Sequence, residues 1–232
     1  MCIPFRLEWY NPWVDPSLRL ENFGQDSHLG ILLGNTGTLW APFQHWLRED
    51  PARVQLPHPL NHYIEAQLRA LQQQLEHPVS IRYAHDVKHA PFAAQKLAER
   101  IGLTWTSPSM LSIHPVYGPW ISFRAALSFP IEAPECLPDA PTPAPACDAC
   151  ARACLPAFER VMQGLQTLAH ADDPCMESGK TSMPTSTHIS TAWKEWVAVR
   201  EACPLGRAHV FVPSQLEYHY THRRELLLKV DC

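Results

Sequence analysis

Apolar residues fall on alternate positions from Ile121 to Phe129: Ile121, Phe123, Ala125, Leu127 and Phe129. Period two over such a length predicts a strand with one buried face. The intervening positions are Trp120, Ser122, Arg124, Ala126 and Ser128. They are small or polar apart from the Trp and carry a single charge, Arg124. Small residues around one guanidinium suit the floor of a pocket; an ordinary edge strand with one exposed Arg has the same pattern.

The remaining periodicities alternate between strand and helix. Gly30 to Asn35 is a short apolar run bounded by Gly, which predicts a buried strand. Through the turn Thr36-Gly37-Thr38 it enters a helix with Leu39, Trp40, Phe43, Trp46 and Leu47 at near-helical spacing. That turn lacks the spacing and the Lys of a phosphate-binding loop. After His58-Pro59, the stripe Leu60, Ile64, Leu68, Leu71, Leu75 predicts a second amphipathic helix. Val79 to Tyr83 alternates as a strand, and a third helix is predicted from about Pro91 to Ile101, with Gly102 as its stop. Ala93, Ala94, Leu97 and Ile101 face inward there. An Ala-rich first turn leaves space for a large planar ligand, or for close packing on a sheet.

Past residue 130 the composition shifts. Pro130, Pro134, Pro138, Pro141, Pro143, Pro145 and Pro156 stiffen the chain, and Cys136, Cys147, Cys150 and Cys154 punctuate it. A helix is expected from about Ala157 to Ala169, then a polar Ser/Thr/Gly-rich loop over 171–190. A short helix follows from Trp193 to Arg200, then a tail of mixed aromatic and basic residues from Val210 to Val230. The division expected is a core at 1–132, a Pro/Cys-rich linker at 133–156, and C-terminal helices with a tail, 157–232, packing back on the core.

Composition removes several function classes. The net charge is −4 with 13 His, so no basic excess asks for nucleic acid. No apolar run reaches the roughly 18 residues of a membrane span, and the first residues carry no signal-peptide core. A cytoplasmic setting is therefore expected, with the 8 Cys as thiols or metal ligands rather than disulfides. Aromatic residues crowd the start, Phe5, Trp9, Tyr10 and Trp13, and need something to pack on.

The stretch Ile113-His114-Pro115-Val116-Tyr117-Gly118-Pro119-Trp120, running into the strand that carries Arg124, is similar to the signature of the CblC family. These are the cyanocobalamin reductases and alkylcobalamin dealkylases of the methylmalonic aciduria and homocystinuria type C group. The family's two glycines before the Trp are here Gly118-Pro119, a stiffer loop. Trp9-Tyr10-Asn11, Ala94-Gln95 and the set Trp193, Trp196, Arg200 also match the family pattern. The resemblance covers most of residues 5–130 and, more thinly, 190–225. The loop from Gly102 to Ser112 is shorter than the family's Tyr-rich loop and substitutes Trp105-Thr106-Ser107.

The resemblance implies an α+β, nitroreductase-like fold: an antiparallel sheet flanked by helices, with the Pro/Cys-rich segment appended. It implies cobalamin bound base-off, with the upper ligand removed by reductive decyanation or by thiol-dependent dealkylation. A cobalamin-acceptor protein is the expected partner, and a homodimer is compatible. The corrin-lining candidates are Ala94, Gln95, Trp105, Thr106, Ser112, Ile113, His114, Gly118 and Phe123. His114 is expected to be a hydrogen-bonded structural residue rather than a cobalt ligand, since a cobalt without axial donors is easier to reduce. The implied glutathione receptor is Arg124, Arg200 and Arg224, with Arg223 as the alternative register for the last, and Arg124 as the catalytic candidate. A guanidinium makes bidentate, charge-assisted pairs with carboxylates, and glutathione carries two. The electron source is glutathione or a flavin (FMN or FAD).

Cys147-x2-Cys150-x3-Cys154 lies outside the resemblance. It approaches the bacterial ferredoxin run, with Ala144 where a Cys would precede. A [4Fe–4S] or zinc site, completed by Cys175 or Cys203, and plain thiols both fit this spacing. An iron–sulfur cobalamin reductase akin to epoxyqueuosine reductase or reductive dehalogenase is thus an alternative function. A non-catalytic cobalamin chaperone is another.

Overall fold

A computed structural model describes residues 1–137, 148–172 and 191–229, the backbone alone over 166–172. Four antiparallel strands make the main sheet: β1 (Cys2–Arg6), β2 (His28–Asn35), β3 (Ser80–Tyr83) and β6 (Ser122–Glu132), in the order β1-β2-β6-β3. A separate two-stranded ladder pairs β4 (Trp105–Thr106) with β5 (Ser112–Ile113). The predicted strand over 121–129 is therefore an interior strand. Hydrogen-bonded on both sides and covered on both faces, it buries Ala125 through Phe129 without a break.

Each face of the sheet carries its own core. On one face, α1 (Trp40–Glu49), α2 (Pro59–Gln72) and the C-terminal residues Tyr218, Leu226 and Leu227 pack against Ala125, Leu127 and Phe129. On the other, Phe5, Leu7 and Tyr10 pack with Ala126 and α3 (Ala94–Arg100). The crowded N-terminal aromatics are explained by this second core: Phe5 and Tyr10 are fully buried, and Tyr10 Oη donates to the Leu18 carbonyl. Trp13 alone stays exposed, capped by the Arg100 guanidinium 3.9 Å from its ring centroid. The third helix is shorter than its sequence suggests, because Pro91 to Ala93 enter it in a non-helical turn.

Beyond the sheet come α4 (Leu155–Asp172), α5 (Trp193–Glu201) and α6 (Pro213–Thr221). The polar loop expected at 171–190 falls almost wholly outside the described residues, as does the Pro run from 138 to 147. Helix α6 stands where sequence periodicity gave only a mixed tail. Pro213 sits at its first turn, where a missing N–H costs nothing.

Candidate functional site

One irregularity in the sheet decides where the key arginine points. Leu33 of β2 pairs with Ala125 of β6, but the next residue, Gly34, pairs with Phe123. Arg124 is thus the extra residue of a β-bulge, which re-aims the side chains on either side of it. Strict alternation would put Phe123 with Ala125 and Leu127, and Arg124 with Ala126. Instead Phe123 packs into the α3-side core, and Arg124 lies on the α1/α2 side with Leu33, Tyr63 and Ile64. The floor of small residues expected around Arg124 is therefore not its environment.

Arg124 donates from Nε to Asn35 Oδ1 at 2.5 Å, while its Nη2 is buried with no hydrogen-bond partner. Burial draws its pKa down to about 10, opposed by the nearby Tyr218 phenol, so the guanidinium stays charged at neutral pH. Two cavities, about 200 and 570 Å³, meet at this point, sharing Met1, Gly34, Asn35 and Leu39. Arg124 borders the smaller; Thr36, Thr38, Tyr117 and His209 border the larger. A third cavity, about 490 Å³ between Asn11, Arg19, Glu21 and Arg82, shares no residue with either.

A second guanidinium approaches from α5. Arg200 lies 5.9 Å from the ring centroids of both Trp120 and Tyr220, donates to the Pro119 carbonyl at 3.4 Å, and has a buried, unpartnered Nε. Both arginines lie near His219 of α6, a residue the sequence pattern did not single out. Its ring sits among Trp40, Phe211 and Tyr218. Desolvation is the larger cause that lowers its pKa to about 3; Arg124, Arg200 and His222 add to it. Uncharged, the imidazole can accept a hydrogen bond, and Gln215 one turn earlier places its amide nitrogen 3.3 Å from His219 Nε2. Gln215 is 1% exposed, and its Oε1 has no partner.

The signature loop is held by its own backbone. His114 Nδ1 accepts the N–H groups of Val116 and Tyr117 at 3.0 and 3.2 Å. Burial, and then the neighbouring His209, lowers its pKa. Gly118 adopts φ +56°, and a Cβ there would stand 2.2 Å from the Leu205 carbonyl oxygen; at Gly206, φ +73°, a Cβ would stand 2.1 Å from that of Tyr117. Two loops thus interlock at their glycines, the only residues that fit.

The corrin-lining candidates gather in part. Trp105–Ile113 and Thr106–Ser112 are the two pairs of the small ladder, and Gln95 at the start of α3 donates to the Met110 carbonyl in the loop that joins its strands. Ala94 precedes Gln95, while Phe123 packs in the same α3-side core. Trp105 Nε1 and Ser112 Oγ are buried without partners. The arginine candidates separate: Arg223 is exposed and ion-paired with Glu217 and Glu225, and Arg224 donates to Gln55 Oε1 on the surface. Arg224, like Arg124, lies near the Tyr218 phenol.

Cys150 and Cys154 lie in a π-helical turn leading into α4; Cys147 is outside the described residues. Cys154 is in hydrogen-bonding contact with Cys150 and with Cys203, which follows α5. Desolvation, then the two neighbouring sulfurs, pushes the Cys154 thiol up to about 12. Trp105, Ile113, Leu111 and Leu205 close over Cys154 and Cys203. Among the described residues no group of three or more His, Cys, Asp or Glu side chains is disposed to hold a metal ion, so the iron–sulfur expectation has no support there. No helix among them is long and apolar enough to cross a membrane.

The sheet order, the two-sided core and the signature loop can now be set beside solved structures. The crystal structure of the Caenorhabditis elegans B12-trafficking protein CblC, a homologue of human MMACHC, superposes with a TM-score of 0.68. The fold is that of CblC. The match covers 98% of this chain and 88% of the nematode protein at 17% identity, and it carries the nitroreductase-like architecture with it. No protein-family model matches the sequence, and no curated protein does.

Proposed function

We propose that this chain processes cobalamin: it binds the cofactor as a substrate and removes its upper axial ligand with a thiol peptide such as glutathione. The CblC fold supports cobalamin as the substrate class. The observation that carries the thiol half is the pair Arg124 and Arg200, each sunk with one N–H donor unpaired. A buried, unmet guanidinium donor is costly unless an anionic group answers it. Bound carboxylates would hold the peptide in place. Its thiolate attacks the alkyl carbon; the carbon–cobalt bond breaks, a thioether forms, and the bonding electron pair stays on cobalt. Decyanation is the reductive counterpart, drawing electrons from a flavin or from the thiol.

Trp105 and Ser112 would serve the corrin. Its rim carries amide side chains, and Trp105 Nε1 and Ser112 Oγ are a donor and a donor-acceptor with nothing to bond. His114 spends its Nδ1 on two backbone N–H groups, which suits a loop support rather than a cobalt ligand.

Absorbance spectroscopy tests the proposal. Hydroxocobalamin titrated with protein should shift from base-on to base-off, and methylcobalamin with glutathione under anaerobic conditions should lose its methyl group. A base-off shift with no dealkylation or decyanation under any reductant would make the chain a carrier, as the name of the nematode protein suggests for that protein. Absence of the shift would remove cobalamin altogether.

A further inference from the structure

Three thiols meet beneath the small ladder. Cys154 Sγ touches the sulfurs of both Cys150 and Cys203, and none of the three residues is more than 4% exposed. The turn that carries the first two is π-helical: the Leu155 N–H bonds to the Cys150 carbonyl, five residues back. Such turns are rare and concentrate at functional sites. No disulfide joins the three, yet sulfurs in contact need little movement to reach the bonded distance of about 2.05 Å.

The cluster is tied to the signature loop from two sides. Cys203 stands three residues before Gly206, and Pro204 stiffens the link. The Leu205 side chain packs against the cysteines, and its carbonyl oxygen is the atom that a Cβ at Gly118 would strike. Trp105 and Ile113, one pair of the small ladder, cover the same sulfurs, and Ile113 leads directly into His114. His114 and Gly118 close the loop with reciprocal backbone hydrogen bonds of 2.9 and 2.8 Å.

Independently of the cobalamin reading, we propose that Cys154 and Cys203 form a redox couple whose disulfide locks the signature loop. The oxidant is a low-molecular-weight disulfide such as oxidised glutathione. One cysteine sulfur displaces a glutathione thiolate, and the second then displaces the other. The two thiols lose two protons and two electrons, and two molecules of reduced glutathione leave. Cys150 unlocks the couple from within: its thiolate attacks Cys154, a Cys150–Cys154 bond forms and the Cys203 thiol is released. The apolar lid and the raised pKa of Cys154 slow each exchange. The lock therefore answers lasting changes in the thiol pool rather than brief ones.

Incubation of the natural chain with oxidised glutathione, acid quenching, tryptic digestion and mass spectrometry read the linkage. Arg152, Arg160, Arg200 and Arg207 place Cys150, Cys154 and Cys203 on three separate peptides. The expected product is the Cys154–Cys203 pair, formed over hours. In that form hydrogen exchange at the His114 and Gly118 amides should slow about tenfold. Amides of α2 should keep their rates, since the core around that helix shares no residue with the one around the thiols. Cys203→Ser should remove both the link and the slowing. Absence of a Cys154–Cys203 link overturns the proposal, as does a Cys150–Cys154 link alone, which closes within one turn and does not reach the loop. A Cys154–Cys203 link that leaves the loop amides unchanged, or slows all amides alike, overturns it too. The natural chain, oxidised and reduced, supplies these readings whether or not the variant folds.

Discussion

The Arg124–Arg200–His219 cluster and the Cys150–Cys154–Cys203 cluster are both buried, and both join residues far apart in the chain. They differ in what their polar atoms have to bond to. The thiols touch each other: Cys154 contacts both neighbouring sulfurs under an apolar lid. Around His219, two arginines and a glutamine each keep an atom with no partner in the protein. Burial by itself therefore does not mark a ligand site. A closed set of contacts belongs to the core, whereas an open set of opposite polarity describes the molecule that would close it.

The comparison breaks most visibly at Arg124. Arg124→Ala should lower thiol-dependent dealkylation by about 10- to 150-fold, the worth of a charge-assisted hydrogen bond. The base-off shift of cobalamin should survive nearly unchanged. Equal losses of corrin affinity and rate would mean that the arginine supports the pocket as a whole.

A smaller effect is expected from His219. Neutral in the folded chain, it protonates on unfolding once the pH falls below its ordinary value near 6.5. The unfolded state then binds more protons, and stability falls with pH from about 6.5 toward 3 at up to about 1.4 kcal/mol per unit. Between pH 7 and pH 5 this amounts to about 2 kcal/mol. His219→Gln should flatten that part of the profile in urea titrations, leaving the same-signed contributions of His114 and His222. An unchanged profile would show that solvent reaches the imidazole.

Smallest is Cys154→Ser, which exchanges a thiol for a hydroxyl in an apolar shell. About 1 kcal/mol of stability should be lost, with S-methylglutathione affinity unaffected. A variant of normal stability that no longer bound the peptide would join the two regions into one site.

Much of the scaffold was legible. Alternation from Ile121 gave β6, and the stripe from Leu60 gave α2, because one-sided burial leaves a period in the sequence. The bulge left none: Phe123-Arg124-Ala125 contains no Gly or Pro, and only the pairing of Gly34 with Phe123 reveals that Arg124 changes face. Helix α6 escaped for a related reason. It buries Gln215, Leu216 and Tyr218 against several neighbours at once, so its sequence shows no clean stripe, and His219 and Gln215 escaped with it. The spacing of Cys150 and Cys154 was visible, but Cys203 reaches them through tertiary packing alone. Of the two registers left open, Arg223 is ion-paired at the surface, while Arg224 contacts Gln55 and lies, with Arg124, near the Tyr218 phenol.

The interlocked glycines also bear on the order in which the molecule can be completed. The loop from His114 to Gly118 cannot settle until Leu205 and Gly206, roughly ninety residues later, have come to rest against it, and contacts so distant in sequence form late. A chain emerging from the ribosome would have all four strands of the main sheet long before the partners of its signature loop. Only after α5 is made could that loop become rigid, so the recognition surface is completed together with the C-terminal part of the α1/α2-side core.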